Sequence, residues 1–237
     1  MRAGILASLM TGAVAALLVA TAAHSGTPVR VEKTCPINGE KFTFTETGSY
    51  STYGMYSDGM PRGSWEFPAP IPQCPGTRFP VVKREYSDAE KALYQAMVQT
   101  PEYQAIKDEA SYYVLNFVMA RNGQQTPESH VWLLIQASWQ VRDDPETLTR
   151  YAGELGAALQ EAGDYIAANS AESREYYQLC VANILRQAGD FEASNAILDL
   201  VQESEDKPRV SEWKEKSRNL NAARDSSQYL VFGQDFS

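Results

Sequence analysis

The chain has 237 residues, and its 30 acidic and 21 basic side chains leave a formal net charge of −9 at pH 7. An acidic chain repels phosphate backbones, and no stripe of lysine and arginine with interleaved aromatic residues offsets that repulsion. The composition therefore argues against a nucleic-acid partner, and the length allows one substantial core or a small module joined to a larger one.

The first segment predicts a secretory signal peptide over residues 1–22. A single positive charge at Arg2 precedes an uncharged run rich in alanine and leucine, and residues 20–22 form a small-x-small cleavage site. Cleavage after Ser25 is a second option. The apolar run is also about long enough to cross a bilayer, so a retained membrane anchor is the alternative. Cleavage would leave the mature chain periplasmic or secreted, and only an uncleaved leader would hold it in a membrane.

Residues 29–86 predict a small β-rich module. This segment is rich in Gly, Pro, Thr, Tyr and Ser, contains alternating runs such as EKFTFTET, and carries turn dipeptides at 38–39, 58–59 and 75–76. Alternation with a period of two between such dipeptides is typical of short strands and hairpins.

Two stretches of this module, TCPINGEKF at 34–42 and QCPGTRF at 73–79, each begin like half of a zinc ribbon. Each lacks its second cysteine, because Asn38 and Thr77 stand where the missing ligands would be. A tetrahedral zinc ion needs four Cys or His ligands. The sequence therefore predicts no structural zinc here.

The two remaining cysteines, Cys35 and Cys74, occupy equivalent positions on turns that a ribbon would bring together around one ion. We therefore predict a Cys35–Cys74 disulfide, which an oxidising compartment would allow. The alternatives are two free thiols, or pairing of either with Cys180. Cys180 lies on an apolar helical face, so we expect it to be a buried core residue.

The insert between the two stretches, residues 48–72, is the segment richest in candidate binding residues. These are Tyr50, Tyr53, Tyr56, Arg62, Trp65 and Phe67. Flat rings provide contact area at a small entropic cost, so the insert could form an exposed platform for a glycan or a Pro-rich peptide. The alternative is that some of these rings form the small core of the β-rich module.

Four helix starts are visible from residue 87 onward. Ser87 and Glu90 form a capping box, in which each side chain can bond the backbone amide of the other. Three later starts place an N-cap oxygen before a proline at the first helical position, where its missing N–H is harmless. Their N-caps are Thr100, Thr126 and Asp144.

Apolar periodicity after these starts predicts three helical hairpins and a final helix. The hairpins pair 88–99 with 101–121, 127–142 with 145–168, and 172–188 with 190–204, and a polar helix near 208–224 covers the end of the stack. The third hairpin resembles a tetratricopeptide repeat through its inter-helix turn at 189–191. Residues 87–225 would then form a helical-repeat domain, followed by a C-terminal tail at 226–237.

The expected fold class is α+β and mainly α: a β-rich, zinc-ribbon-like module without zinc, followed by stacked, antiparallel, tetratricopeptide-like hairpins. In the order of its segments, the chain resembles the bacterial proteins grouped as domain of unknown function 2225. These segments are a Cys-Pro knuckle, a Tyr- and Gly-rich insert, a second Cys-Pro knuckle and helices containing ASWQVRDD. The likeness runs from about residue 33 to 200. It implies a zinc ribbon followed by tetratricopeptide-like helices and no known activity. Asn38 and Thr77 depart from its ligand pattern.

No catalytic constellation emerges from the sequence. His130 lacks an accompanying nucleophile and orienting acid in any motif we can identify, and Gly153 and Gly156 lie inside an apolar helical pattern, where we expect them to permit close packing. We expect no cofactor and no metal.

The leading hypothesis is an exported, non-enzymatic interaction protein whose concave helical face binds a protein or peptide. The alternative is a cell-wall glycan-binding or hydrolase-accessory module that uses the insert. A third option is an enzyme with an unfamiliar site.

Overall fold

The computed structural model describes residues 26–203 and 206–233, so the predicted signal peptide and residues 234–237 lie outside it. It confirms a mixed α+β fold that is mainly helical, with small antiparallel sheets. The strands are Thr27–Thr34 (β1), Lys41–Ser49 (β2), Thr52–Tyr56 (β3), Pro61–Gly63 (β4) and Leu230–Gly233 (β5). The helices are Asp88–Met97 (α1), Pro101–Ile106 (α2), Ser111–Arg121 (α3), Pro127–Gln140 (α4), Pro145–Asn169 (α5), Arg174–Gln187 (α6), Phe191–Leu200 (α7) and Pro208–Ala222 (α8).

The strands form two separate antiparallel sheets. Strands β1 and β2 make a hairpin, and the second sheet has the order β4-β3-β5. Part of the predicted C-terminal tail therefore pairs with the insert. Gly54 of β3 lies opposite both Arg62 and Gly233, and a Cβ on Gly233 would come within 2.7 Å of the Gly54 Cα atom. The absence of side chains at these two glycines allows the strands to approach.

All four predicted helix starts are confirmed. Each N-cap side chain accepts a hydrogen bond from an amide in the first helical turn, with donor–acceptor distances between 3.1 and 3.3 Å. The N-caps are Ser87, Thr100, Thr126 and Asp144. Glu90 also accepts from the Ser87 amide at 2.9 Å, which completes the capping box. Local chemistry is sufficient to begin these helices.

The single helix predicted over residues 101–121 is wrong, because the chain turns after Ile106 and α3 begins at Ser111. A long-range contact lies in this turn. The Glu109 carboxylate accepts hydrogen bonds from Arg150 and from the Tyr151 hydroxyl of α5, each at 2.7 Å. This link fixes the turn against α5, so α2 and α3 run as separate helices.

Buried apolar residues form two clusters, and each takes residues from both sides of residue 86. The first joins Met60 of the insert to α4 through α8, and includes Trp139, Leu155, Val181, Leu198 and Trp213. The second joins the two Cys-Pro turns to α1, α2 and α3, and includes Cys35, Cys74, Phe79, Tyr94, Tyr103 and Val114. The β-rich segment is thus packed into the helical part at two places.

The later helices pack as successive neighbours. Helix α4 contacts α5, α5 contacts α6, and α6 contacts α7, while α8 lies against both α6 and α7. The α8 contact is partly polar: Asn183 donates to Ser217 at 2.9 Å and Asn221 donates to Ser194 at 2.9 Å. None of the helices in the described ranges combines the length and hydropathy that crossing a membrane requires.

Candidate functional site

The predicted Cys35–Cys74 disulfide is present, with the two Cα atoms 5.2 Å apart. The two turns that carry it have matching backbone hydrogen bonds. The Cys35 carbonyl accepts from the Gly39 amide at 2.9 Å, and the Cys74 carbonyl accepts from the Arg78 amide at 3.0 Å. Both Gly39 and Arg78 have positive φ angles, of 74° and 60°. The turns therefore share this hydrogen bond and this backbone bend, and they differ at the third position, where Gly76 has a φ of 74° and Ile37 has no positive φ.

The residues that replace the expected zinc ligands have different surroundings. The exposed Asn38 accepts from the Glu40 amide at 3.1 Å, whereas the Thr77 hydroxyl oxygen is buried without a hydrogen-bond partner. The Thr77 carbonyl accepts from the Tyr103 hydroxyl at 3.0 Å, which ties the second turn to α2. Within the described residues, no three Cys, His, Asp or Glu side chains lie together as metal ligands would.

The candidate binding residues of the insert divide into exposed and packed groups. Tyr50 and Tyr53 are 53% and 43% exposed. The Arg62 guanidinium lies 5.7 Å from the centre of the Tyr53 ring, and the Tyr50 ring meets Phe67 edge-on at 5.4 Å. This side of the insert presents aromatic surface to solvent.

The other three aromatic residues of the insert serve packing. Tyr56 and Phe67 lie against the first apolar cluster. Trp65 is half-buried over Gly26, where a Cβ would come within 2.5 Å of its ring, and its Nε1 is buried without a hydrogen-bond partner. The structure therefore does not bring all the predicted binding residues onto one platform.

The turn between β3 and β4, Ser57 to Met60, is buried against α4 and α6. We call it the hairpin tip. The Trp139 indole of α4 donates to the Asp58 carbonyl at 3.1 Å, and the Tyr176 hydroxyl of α6 donates to the Gly59 carbonyl at 3.3 Å. Gly59 has a φ of +83°, and a Cβ there would lie 2.5 Å from the sulfur of Cys180. Only glycine fits this position without rearrangement.

The carboxylate of Asp58 is enclosed in this interface. It accepts from the Met60 amide at 3.1 Å and from the Gln228 side chain at 2.8 Å. Burial raises its pKa, since a charged carboxylate is disfavoured away from water. Burial also raises the pKa of the Cys180 thiol, and the nearby Asp58 raises it further. A thiol held protonated in this way is a poor nucleophile.

Arg186 of α6 connects the hairpin tip to the C-terminal segment. Its side chain is fully buried, and it donates to the carbonyls of Asp225 and Ser227 at 2.7 and 2.8 Å and to the Ser57 hydroxyl at 3.4 Å. The guanidinium also lies 5.5 Å from the centre of the Tyr229 ring. The α4–α6 face of the helical part is thus covered by other parts of the same chain.

A separate groove of about 420 Å³ lies between α5 and α7, at the N-terminal end of α6. It remains open, and its walls are mostly apolar. The lining includes Leu159 and Ile166 of α5, Ile197 and Leu200 of α7, and the two glycines Gly156 and Gly163. Leu200 is 59% exposed.

Two polar side chains of α6 also line this groove, and one atom of each has no hydrogen-bond partner. Gln178 is only 8% exposed, and its Oε1 has no hydrogen-bond partner. The Nε of Arg174 is also buried without a partner, although its Nη2 donates to Gln202 at 2.8 Å. Sequence reasoning missed this groove, because the space left between two helices is a property of the folded geometry.

The remaining residues weighed from the sequence have ordinary surroundings. His130 lies in the first turn of α4, near the side chains of Asn116 and Gln125 at 3.1 and 3.3 Å, and burial lowers its pKa. Gly153 does not permit close packing, because no atom lies within 4 Å of where its Cβ would be. Gly156 does approach Leu185, whose methyl groups would lie 3.9 Å from such a Cβ.

Comparison of the chain with protein-family models, with curated proteins and with solved structures finds no significant match.

Proposed function

We propose that this chain is an exported, non-enzymatic interaction protein that binds a protein or peptide through its helical scaffold. The observation that carries the proposal is the open, mostly apolar groove between α5 and α7, which Gln160, Arg174 and Gln178 also line. Ligand sites are concave and mostly apolar, with a few polar groups that fix orientation. The groove has this composition, and its volume lies within the range of such sites.

The α4–α6 face is less suited to a partner. The sequence predicted a concave helical face as the binding surface without naming its helices, and in the structure α4 and α6 hold the hairpin tip through Trp139 and Tyr176. A partner would first have to displace that tip and the segment bound to Arg186. The α5–α7 groove needs no such displacement, so we assign partner binding to it.

The proposed architecture is a degenerate zinc ribbon carried on tetratricopeptide-like hairpins, as in the proteins of domain of unknown function 2225. The matching backbone hydrogen bonds of the two Cys-Pro turns support the first part. The short links between paired helices support the second, and so does the positive φ of Gly189 at the predicted inter-helix turn. Export is consistent with the disulfide, since such bonds persist in oxidising compartments.

Site-specific photocrosslinking in cells tests the assignment. Leu200 would be replaced by p-benzoylphenylalanine, and Leu93 of α1, which is 44% exposed, provides a matched control position outside the groove. We expect a discrete crosslinked product at 200 and none at 93, because the partner contacts only the groove. Equal labelling at both positions, or none at 200, would contradict the proposal. Intact mass before and after reduction checks leader removal on the same protein.

A second candidate function is the binding of cell-wall glycan, favoured by the exposure of Tyr50 and Tyr53 beside Arg62. Exposed aromatic rings can stack on sugar rings. Sedimentation with purified peptidoglycan tests it, using Tyr50→Ala with Tyr53→Ala against a Val82→Ala control, since Val82 is 54% exposed. Loss of binding in the tyrosine variant alone supports the glycan function, and equal binding by all variants contradicts it.

A further inference from the structure

We infer that Tyr113 of α3 and Tyr151 of α5 form a site of oxidative crosslinking, at which a one-electron oxidant joins the two rings as dityrosine. The inference goes beyond the proposed function, because the chain is here the substrate of a modification and the α5–α7 groove takes no part. The activated haem of a peroxidase is an oxidant of this class. The product is a covalent bond between α3 and α5.

The first step concerns how the two rings meet. They are stacked, with planes 1° from parallel and centres 4.5 Å apart. The rings therefore touch face to face, and tyrosyl radicals couple through the ring carbons beside the hydroxyl. By contrast, Tyr86 and Tyr94 meet edge-on, at 83° and 5.9 Å. An edge-on pair directs hydrogen atoms of one ring at the face of the other, which keeps the coupling carbons apart.

The second step concerns the protons that both rings must lose. The Tyr151 hydroxyl donates to the Glu109 carboxylate at 2.7 Å. The Tyr113 hydroxyl donates to the Glu154 carboxylate at 3.2 Å. A base within this reach can take the proton as the electron leaves. Burial and the bond to Glu154 raise the pKa of Tyr113 to about 12, so this ring is a neutral phenol at ordinary pH and needs such an acceptor.

Arg150 gathers the two proton acceptors into one cluster. Its guanidinium donates to Glu109 at 2.7 Å and lies 3.7 Å from the Glu154 carboxylate. Both tyrosine hydroxyls therefore lie at the same end of the stack, which brings the coupling carbons of both rings to that end. The guanidinium also lies 4.8 Å from the centre of the Tyr151 ring. A cation there opposes removal of an electron, and the two carboxylates offset its charge.

The third step is the reaction, which needs two molecules of oxidant. Tyr113 is partly exposed and Tyr151 is fully buried, so the oxidant reaches Tyr113 first. Tyr113 gives its electron to the oxidant and its proton to Glu154, and both are then restored to it as Tyr151 gives up an electron and passes its proton to Glu109. A second oxidation returns Tyr113 to the radical. The two radicals form one carbon–carbon bond, and one ring hydrogen of each tyrosine moves to its oxygen. In sum, two oxidant molecules each gain one electron, two protons are released, and the protein loses two hydrogen atoms.

The test oxidises the dilute, purified full chain with photogenerated tris(bipyridine)ruthenium(III), a small one-electron oxidant. We expect the intact mass to fall by two hydrogen atoms and the fluorescence of dityrosine to appear. A tryptic digest should contain peptides 108–121 and 151–174 joined to each other. Tyr113→Phe and Tyr151→Phe should each lose the joined peptide, while circular dichroism confirms that both variants are folded.

The matched control is Tyr112→Phe, which lies in the same tryptic peptide as Tyr113. The Tyr112 hydroxyl donates to the Ala69 carbonyl at 2.8 Å, which cannot take its proton. This variant should keep the joined peptide at the yield of the unmodified protein.

A second measurement tests the proton acceptor. Glu154→Gln keeps the size of the side chain but cannot take a proton, so the crosslink should form more slowly. Added imidazole should restore the rate, because Tyr113 is partly exposed and a dissolved base can replace the carboxylate. If imidazole leaves the slowed rate unchanged, Glu154 only positions Tyr113 and its assignment as proton acceptor is wrong.

Three outcomes would overturn the inference: no dityrosine, crosslinks only between molecules, or crosslinks only at other tyrosines such as the exposed Tyr50. Loss of the joined peptide in Tyr112→Phe with its retention in Tyr113→Phe would equally overturn it. None of these results bears on photocrosslinking at Leu200, so this inference and the proposed function fail separately.

Discussion

Gly59→Ala provides a direct test of how the hairpin tip is held. Two costs add at this position. A non-glycine residue at a φ of +83° costs roughly 1–2 kcal/mol. The new methyl group would lie 2.5 Å from the Cys180 sulfur and 2.8 Å from the Tyr176 hydroxyl, and overpacking of this kind costs typically about 1–3 kcal/mol. We expect the free energy of unfolding to fall by roughly 2–5 kcal/mol.

The control for this variant is Gly76→Ala. Gly76 has a similar φ of +74°, but no atom lies within 4 Å of its Cβ position, so only the backbone cost applies. Urea unfolding gives the two stabilities. Cys180 gives a second readout, because two of the three cysteines are joined and the remaining thiol is buried. A thiol reagent should label Gly59→Ala faster than Gly76→Ala, since a displaced tip uncovers the sulfur.

The result that refutes this reasoning is equality of the two variants. If Gly59→Ala and Gly76→Ala lose the same stability and are labelled at the same rate, the hairpin tip does not lie on Cys180 as described. A larger loss of stability in Gly59→Ala than in Gly76→Ala without faster labelling would place the strain elsewhere in the turn and would equally contradict the account.

Three further predictions concern stability. Replacing Cys35 and Cys74 by serine should lower the free energy of unfolding by up to about 4 kcal/mol, because the disulfide closes a loop with a sequence separation of 39. In urea unfolding, the unmodified protein in reductant should match this variant. Gly153→Ala should raise the free energy of unfolding by roughly 0.5–1 kcal/mol, because the site lies in an open helix interior. An unchanged or lower melting temperature would contradict this prediction. Burial raises the pKa of Asp58 in the folded state, so its stabilising contribution is present below the ordinary carboxyl pKa and is lost as pH rises through the folded pKa. Relative to Asp58→Asn, the unmodified protein should therefore lose stability from about pH 4 upward when urea unfolding is measured over a pH series. If the difference in stability between the two proteins does not change with pH, this carboxyl does not titrate as described.

The parts of the fold that could be predicted depend on short-range chemistry. A capping side chain and the amide it bonds are three residues apart, so Ser87, Thr100 and Thr126 are recognisable without knowledge of the rest of the chain. The disulfide could be predicted because Cys35 and Cys74 occupy equivalent positions in two similar turns. The helical periods also follow from local sequence, since each reflects one face of one element.

The parts that could not be predicted depend on distant residues. The turn between α2 and α3 involves Glu109 and Arg150, which are 41 residues apart, and the hairpin tip involves Asp58 and Gln228, which are 170 apart. The turn dipeptide at 58–59 indicated a bend but not that the bend would be buried. The groove was missed for a related reason, because the spacing of Gly156 and Gly163 does not show whether a neighbouring helix fills the space above them.

The position of β5 has a consequence for the order in which the molecule is completed. Strand β3 pairs with residues 230–233, and Arg186 bonds the carbonyls of Asp225 and Ser227. A chain is synthesised from its N-terminus, and contacts between distant residues form slowly. Until these late residues are in place, Asp58 lacks its Gln228 partner and Arg186 lacks the two carbonyls that bind its guanidinium. A nascent molecule therefore passes through a stage at which the hairpin tip lies on α6 without these bonds, and that stage ends only when synthesis has passed residue 228.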